Sequence, residues 1–205
     1  MDIDENQKWS THIHNVVGAL DRRLFQIRRM ANQISERGLR KITDSLWNSK
    51  LRYGLQLCAA VRTNETQSKN TEVQKLQKAQ NRMLRTLTKT KIVDRKRITD
   101  MLRETDLLSV NQTSAQIKLT EMWKATRDTK YPIKVDVIQE KQTGIGTRRN
   151  QSIQIQETGR TNVVIQSFVG DAARLWNKAP AEIKLAKTIS SAKQAIKKFV
   201  KTLPV

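Results

Sequence analysis

The segment VQKLQKAQNRMLRTLTK, residues 73–89, separates charged from apolar residues at helical spacing. Its basic residues follow one another at intervals of three or four: Lys75, Lys78, Arg82, Arg85 and Lys89. At 100° per residue they span about 80° of a helix circumference. Apolar residues collect on the opposite side: Val73, Leu76, Ala79, Met83, Leu84 and Leu87. The segment therefore predicts an amphipathic helix with one basic side, whose five cations are called the basic stripe below.

The net charge of the chain indicates a polyanionic partner. The sequence has 39 Lys and Arg residues and 19 Asp and Glu residues, which gives a formal charge of +20 and a pI near 10.5. Residues 69–97 hold ten of the basic residues and only two acidic ones, Glu72 and Asp94. Because phosphate backbones attract such a surface, nucleic acid is the leading candidate partner.

Helical periodicity begins well before the basic stripe. Residues 9–34 repeat apolar positions in the manner of a long amphipathic helix, which also carries two basic pairs. These pairs are Arg22 with Arg23 and Arg28 with Arg29. We interpret the four arginines as ordinary helix exterior in preference to a binding site.

A second helix is predicted between this one and the stripe. After an interruption at Gly38, residues 39–58 are apolar on more than one side, which favours a central position in the fold. We expect the stripe helix to pack on the part from Leu46 to Cys58 through Leu76, Met83, Leu84 and Leu87. Residues 62–72 lack periodicity and predict a loop that leads into the stripe helix, with Asn70 or Thr71 as its cap.

The second half of the chain continues with shorter elements. A basic turn precedes a short helix that carries Ile98, Met101 and Leu102, and another helix is predicted at 110–125. Residues 131–166 contain three glycines and the alternating SIQIQ stretch, which is typical of a flexible or hairpin-like linker.

The C-terminal segment predicts two helical stretches separated by Pro180, since proline does not continue a helix. Either Ser190 or Ser191 is predicted to cap the final helix. The tryptophans Trp47, Trp123 and Trp176 lie in apolar helical patterns, so core packing is favoured over base stacking.

Other residue types point away from metal sites and membranes. Cys58 lies among apolar residues and reads as core, and His12 and His14 have no cysteine nearby that would suggest zinc. No apolar run approaches the ~20 residues that cross a bilayer, and the start MDIDENQ is acidic, unlike a signal peptide. We therefore expect an intracellular protein, in the nucleus or a cytoplasmic ribonucleoprotein, that is not secreted and has no membrane or small-molecule partner.

Four segments resemble a known family. KITDSLWNSKLRYGLQLC, followed by LQKAQNRMLRTLT, resembles the region after the palm in reverse transcriptases of non-LTR retrotransposons, where similar segments open the thumb. The tail FVGDAARLWNKAPAEIKLAKTISSAKQAIKKFVKTL is similar to their C-terminal pattern, an LWN-x-x-P followed by a basic helix that ends in F-x-x-x-L. The opening DIDENQKWSTHIHNVVGAL resembles the stretch just past the primer-grip hairpin. The resemblance runs along nearly the whole chain in the right order.

The resemblance implies a mainly α fold. We expect a post-palm amphipathic helix at 1–34, a thumb-like helical bundle at 35–128, a partly extended linker at 129–166 and a C-terminal helical pair at 167–205. It also implies the function of a thumb and C-terminal part, which would bind an RNA/DNA hybrid or RNA through backbone contacts. A palm domain in a longer chain is a further possible partner.

The catalytic motif of that family is absent from these 205 residues. Polymerisation by two metal ions uses carboxylates that the family carries in a Tyr-x-Asp-Asp turn. The nearest imitation, ETDLL with Glu104 and Asp106, lies beside basic residues and is better explained as a salt-bridged surface. We expect no cofactor in this chain, although a complete polymerase of the family would use Mg, and no enzymatic activity from these residues alone.

The candidate binding residues are therefore basic. They are the basic stripe together with Arg95, Lys96 and Arg97. Arg148 and Arg149 are a second-rank candidate. Their segment is explained equally well as a second contact site and as a cleavable linker. An ordinary solvated helix surface also explains such a stripe. The excess of positive charge in this chain favours binding instead.

A different class of function remains open. The chain could be a stand-alone helical adaptor whose apolar heptads at 13–34 and 39–58 dock onto another protein, with the charge maintaining solubility. An exposed apolar seam on these helices would favour that interpretation.

Overall fold

The computed structural model describes residues 9–64, 70–128, 130–132, 137–139, 153–155 and 168–205. The chain is mainly helical, as the sequence predicts. Its α-helices are α1 Ser10–Met30, α2 Glu36–Ile42, α3 Ser49–Arg52, α4 Leu55–Cys58, α5 Thr71–Leu87, α6 Ile98–Thr105, α7 Val110–Ala125, α8 Phe168–Lys178, α9 Ala181–Lys184 and α10 Ile189–Val200. A π-helix at Thr43–Asn48 joins α2 to α3, and a 3-10 helix lies at Ile92–Asp94.

Two short strands pair within the segment predicted as a linker. Strand β1, Val137–Gln139, runs antiparallel to β2, Ile153–Ile155, with Ile138 opposite Gln154. Strand β2 lies inside the alternating SIQIQ stretch.

The described residues form two compact units. Residues up to Ala59, together with 70–111, form the first, and residues 60–64 with those from Gln112 to Pro204 form the second. The predicted segment boundaries after residues 34, 128 and 166 stay a prediction. None of the described helices is long and apolar enough to cross a membrane.

Helix α1 provides the longest apolar surface of the first unit. Its buried side is the predicted periodic one, and it carries Ile13, Val16, Leu20, Leu24 and Ile27. Helix α5 packs chiefly on α1 and α6, and the 43–52 segment also packs on α1. The expectation that α5 packs on a helix from Leu46 to Cys58 is therefore wrong, because α5 packs chiefly on α1 and α6.

The predicted single helix at 39–58 is interrupted. Tyr53 is extended and Gly54 has a φ of 74°, a left-handed conformation that glycine adopts without the steric penalty of a Cβ atom. Helix α3 therefore ends at Arg52, and α4 begins at Leu55. Trp47 and Cys58 are buried on either side of this break, which confirms their predicted core positions.

Gly38 does not interrupt a helix, contrary to the prediction, but lies in the first turn of α2. Ser35 is the N-cap residue, and its Oγ accepts a hydrogen bond from the Gly38 backbone N–H at 3.3 Å. A Cβ atom on Gly38 would lie 2.6 Å from Ile34 Cγ2 and 3.3 Å from the same Oγ. Glycine is thus required by the space beside the cap.

Replacing Gly38 with alanine should destabilise the protein although alanine is the better helix former. The new methyl group displaces the stiff Ile34 side chain and the capping hydroxyl, and we expect a net loss of about 1–2 kcal/mol. Gly18→Ala in α1 is the matched control, since its Cβ would meet only Arg22 Nη1 at 3.7 Å. That change should stabilise by about 0.5–1 kcal/mol. Urea unfolding followed by circular dichroism measures both, and stabilisation by both variants would contradict the steric account.

A buried ion pair lies in the core of the second unit, and the sequence analysis missed it. Lys118 of α7 donates to the Asp171 carboxylate of α8, and both side chains are almost inaccessible, at 1% and 6% exposed. Asp171 also accepts the backbone N–H of Val61 at 2.9 Å. Because a buried charge is tolerated only with such partners, Asp171 ties the 60–64 segment, α7 and α8 together.

Asp171→Ala should be severely destabilising. It removes the carboxylate that neutralises Lys118 and accepts from Val61, and losing one partner of a buried pair costs about 3–5 kcal/mol. Asp100→Ala is the control, because Asp100 forms an exposed pair with Arg103 at 3.8 Å, which is expected to contribute at most about 1 kcal/mol. Thermal unfolding of both variants checks this, and equal losses would show that the buried pair is not special.

The end of the chain differs from the prediction in one detail. Pro180 separates α8 from α9 as expected. The cap of α10 is Thr188, whose Oγ1 accepts from the Ser191 backbone N–H at 3.2 Å, so the choice of Ser190 or Ser191 is wrong. Threonine caps as serine does, and the helix begins at Ile189, two or three residues earlier than a Ser190 or Ser191 cap would place it.

Candidate nucleic-acid interface

Helix α5 confirms the predicted amphipathic helix. It begins at Thr71, directly after Asn70, and its buried side carries Leu76, Ala79, Met83 and Leu84. Four members of the basic stripe are exposed on the opposite side, and Arg85 is half-buried. The stripe thus lies on the outside of the first unit.

Two glutamines near the buried side of α5 fix its contact with the start of α7. Gln80, itself buried, donates from Nε2 to the carbonyl of Leu108 at 2.8 Å. The backbone N–H of Val110, the first residue of α7, donates to Gln77 Oε1 at 3.0 Å. Gln77 Nε2 in turn donates to Gln80 Oε1 at 3.0 Å. No sequence pattern indicates this arrangement, because glutamine is usually a surface residue.

Arg82 of the basic stripe forms an ion pair with α1. Its Nη2 donates to both carboxylate oxygens of Asp21, at 2.7 and 2.8 Å. The pair is about half exposed, so solvent screens it and it contributes little stability. It holds the guanidinium at the edge where α5 meets α1.

Arg28 also joins α1 to α5. Its Nε donates to Thr86 Oγ1 at 3.2 Å, one turn beyond Arg82 on α5. The sequence pattern indicates an ordinary exterior position for Arg28. The bond to Thr86 shows in addition that Arg28 lies beside the basic stripe. The signal in the sequence was the seven-residue separation of Asp21 and Arg28, which puts both on one side of α1.

The C-terminal end of α5 is closed by its own backbone. Thr90 N–H donates to the carbonyl of Arg85 at 3.0 Å, and Lys89 adopts a left-handed φ of 52°. This six-to-one bond is the Schellman pattern, in which glycine usually occupies the left-handed position. Arg85 Nη1 also donates to the Lys91 carbonyl at 3.2 Å, so the half-buried cation helps to hold the following loop.

Lys89→Gly should stabilise the protein. Glycine removes the steric penalty of the left-handed conformation, and after its greater freedom in the unfolded chain a gain of about 0.5–1 kcal/mol remains. Lys78→Gly removes the same charge inside α5 and should cost about 1 kcal/mol. Chemical unfolding should therefore give opposite signs for the two variants. A loss for Lys89→Gly would mean that its side chain supports the fold.

The basic residues after α5 are held in different ways. Lys91 N–H donates to the Asp94 carboxylate, and Arg95 takes a left-handed φ of 47° after the 3-10 helix. Arg95 and Arg97 are exposed. Lys96 forms an ion pair with Glu104 of α6, which agrees with the salt-bridged surface predicted for ETDLL.

The remaining candidates fall into two groups. Arg148 and Arg149 lie outside the described residues. Trp47, Trp123 and Trp176 are buried, which confirms the prediction of core packing. These tryptophans are therefore unavailable for stacking on a base.

The chemistry of this surface is that of a row of cations. Within the described ranges, no group of three or more His, Cys, Asp or Glu residues is placed to hold a metal ion. Comparison of the chain with protein-family models, with curated proteins and with solved structures found no match. What the surface can bind follows from its own charges and shape.

Proposed function

We propose that this chain binds the phosphate backbone of nucleic acid without reading its sequence. The observation that carries the proposal is the position of the basic stripe, on the exposed side of α5, with Arg28 of α1 beside it. Cations on one face of a rigid helix contact phosphates, and phosphate contacts position a protein without specifying bases.

The dimensions of the stripe suit a backbone. Fourteen residues separate Lys75 from Lys89, which is roughly 20 Å at 1.5 Å per residue. A strand of nucleic acid presents several phosphates over that length. Asp21 lies close to the stripe and is neutralised by Arg82, so the local potential stays positive.

The natural ligand that we propose is an RNA/DNA hybrid or RNA. The resemblance to the thumb and C-terminal region of non-LTR retrotransposon reverse transcriptases supports this choice. Binding is the role assigned to this chain, and RNA-directed DNA synthesis, with its Mg, would belong to a palm on the same or another chain. Such a protein would work in the nucleus or in a cytoplasmic ribonucleoprotein.

Neutralising the exposed lysines of the stripe should weaken binding and flatten its salt dependence. The variant Lys75/Lys78/Lys89→Gln leaves Arg82 and Arg85, with their structural hydrogen bonds, in place. Each lost phosphate contact lowers the slope of log affinity against log salt by about 0.7–0.9, so a fall of about 2–3 is expected. Fluorescence anisotropy with labelled RNA/DNA hybrid, duplex DNA and single-stranded RNA measures the slope.

The matched control is Lys193/Lys198/Lys201→Gln, which removes the same charge from exposed positions at α10 and just after it. It should change the slope by less than about one unit. Equal slopes in the two triple variants would show that affinity follows total charge alone. Absence of salt-dependent binding by the unmodified protein would overturn the proposal.

The adaptor hypothesis retains one supporting observation. The apolar seam of α1 is buried within the first unit, so it is not available for docking. Leu46, Tyr53 and Leu57 are nevertheless exposed in the segment that follows α2. Sedimentation velocity tests this second candidate, since a discrete dimer that disappears in Leu46→Ser/Leu57→Ser would favour docking over nucleic-acid binding.

A further inference from the structure

Phe25 is an exposed aromatic residue surrounded by cations. It lies in the C-terminal half of α1, and 63% of its surface is accessible, compared with 51% for Tyr53. Its neighbours one turn away along the helix are Asp21, Arg22, Arg28 and Arg29. Because most of the ring is in contact with water, its burial contributes little to the fold.

The position of Phe25 relative to the basic stripe follows from two contacts. Asp21 pairs with Arg82, and Arg28 bonds to Thr86, so both mark the edge of α1 that adjoins α5. Phe25 is four residues after the first and three before the second. It therefore lies on the same side of α1, rotated by about 40–60° toward solvent.

The charges around the ring are available for an anionic ligand. Arg22 and Arg29 are exposed and form no ion pair with any residue that the structure describes. Asp21, the acidic neighbour, is already neutralised by Arg82. An aromatic face between free cations and a helix edge lined by further cations is the composition of a single-strand binding surface, where bases stack and phosphates pair.

We infer that Phe25 is a stacking platform for an unpaired base of a nucleic-acid strand whose phosphates lie along α1 and the basic stripe. The inference rests on the proposed function and deepens it, because it names unpaired nucleotides as a preferred ligand. Arg22 and Arg29 contact the phosphates that flank the stacked base.

The decisive variants are Phe25→Ala, Phe25→Leu and Phe25→Trp. The probes are a 12-nucleotide single-stranded RNA and a duplex DNA of equal phosphate number without single-stranded ends. Phe25→Ala should weaken binding to the single strand roughly tenfold, within the range for base–aromatic stacking. Duplex affinity should change less than twofold, and the salt slope should not change, because no charge is lost. Phe25→Leu should behave as alanine and Phe25→Trp as the unmodified protein.

A matched control separates stacking from general loss of aromatic surface. Tyr53 is 51% exposed in the same unit and contacts His12 near the start of α1, about 13 residues or roughly 20 Å along that helix from Phe25. Tyr53→Ala should leave both affinities within twofold. A 2-aminopurine base in the RNA gives a second readout, since its fluorescence should be quenched on binding the unmodified protein and not on binding Phe25→Ala.

The outcomes separate this inference from the proposal beneath it. Unchanged single-strand affinity in Phe25→Ala, or equal losses on single strand and duplex, would overturn the stacking role while backbone binding stands. Rescue by leucine would overturn it as well, since an apolar contact would then suffice. Failure of the unmodified protein to bind either probe would overturn both.

Discussion

The packing of α5 on α1 is the contact on which the first unit depends. The apolar sides of both helices meet there, and burying Leu76, Met83 and Leu84 against α1 and α6 provides a hydrophobic driving force that no surface ion pair equals. The same contact decides which side of α5 remains in water. The basic stripe is exposed because the opposite side is needed for the core.

Polar contacts refine this arrangement at its edges. Gln77 and Gln80 hold α5 to the start of α7, and Arg82 and Thr86 join it to α1. These bonds fix the rotation of α5 about its axis, so that its cations form a row beside those of α1. A candidate binding surface is thus built from two helices, although each helix alone would look like an ordinary solvated exterior.

Apolar periodicity is sufficient to predict the helices whose apolar residues repeat without interruption. Helices α5 and α7 occupy the predicted segments. In α5 the amphipathic pattern specifies both the helix and its buried side. In α7 the apolar spacing specifies only the helix, because polar residues such as Asn111 and Ser114 are buried as well. The 39–58 segment was apolar enough for a helix, yet the left-handed conformation of Gly54 breaks it. The prediction that Gly38 interrupts a helix rests on residue type alone. Its role depends on the space beside Ile34, which a sequence does not reveal.

Contacts between distant residues could not be predicted at all. Lys118 and Asp171 are 53 residues apart, and nothing in either local pattern marks them as a buried pair. The same limit applies to the candidate surface, where the five stripe residues were found from spacing but Arg28 and Phe25 were not. Their relation to the stripe exists only once α1 lies against α5.

If the proposed function is correct, polyanions bind at the α5 surface and not wherever charge is found. Lysine acetylation of the folded protein, with and without saturating RNA/DNA hybrid and followed by mass spectrometry, distinguishes these two cases. We expect Lys75, Lys78 and Lys89 to be protected, while Lys193 and Lys198, which are also exposed, react as before. Protection of all five to the same degree, or of the α10 lysines alone, would contradict it.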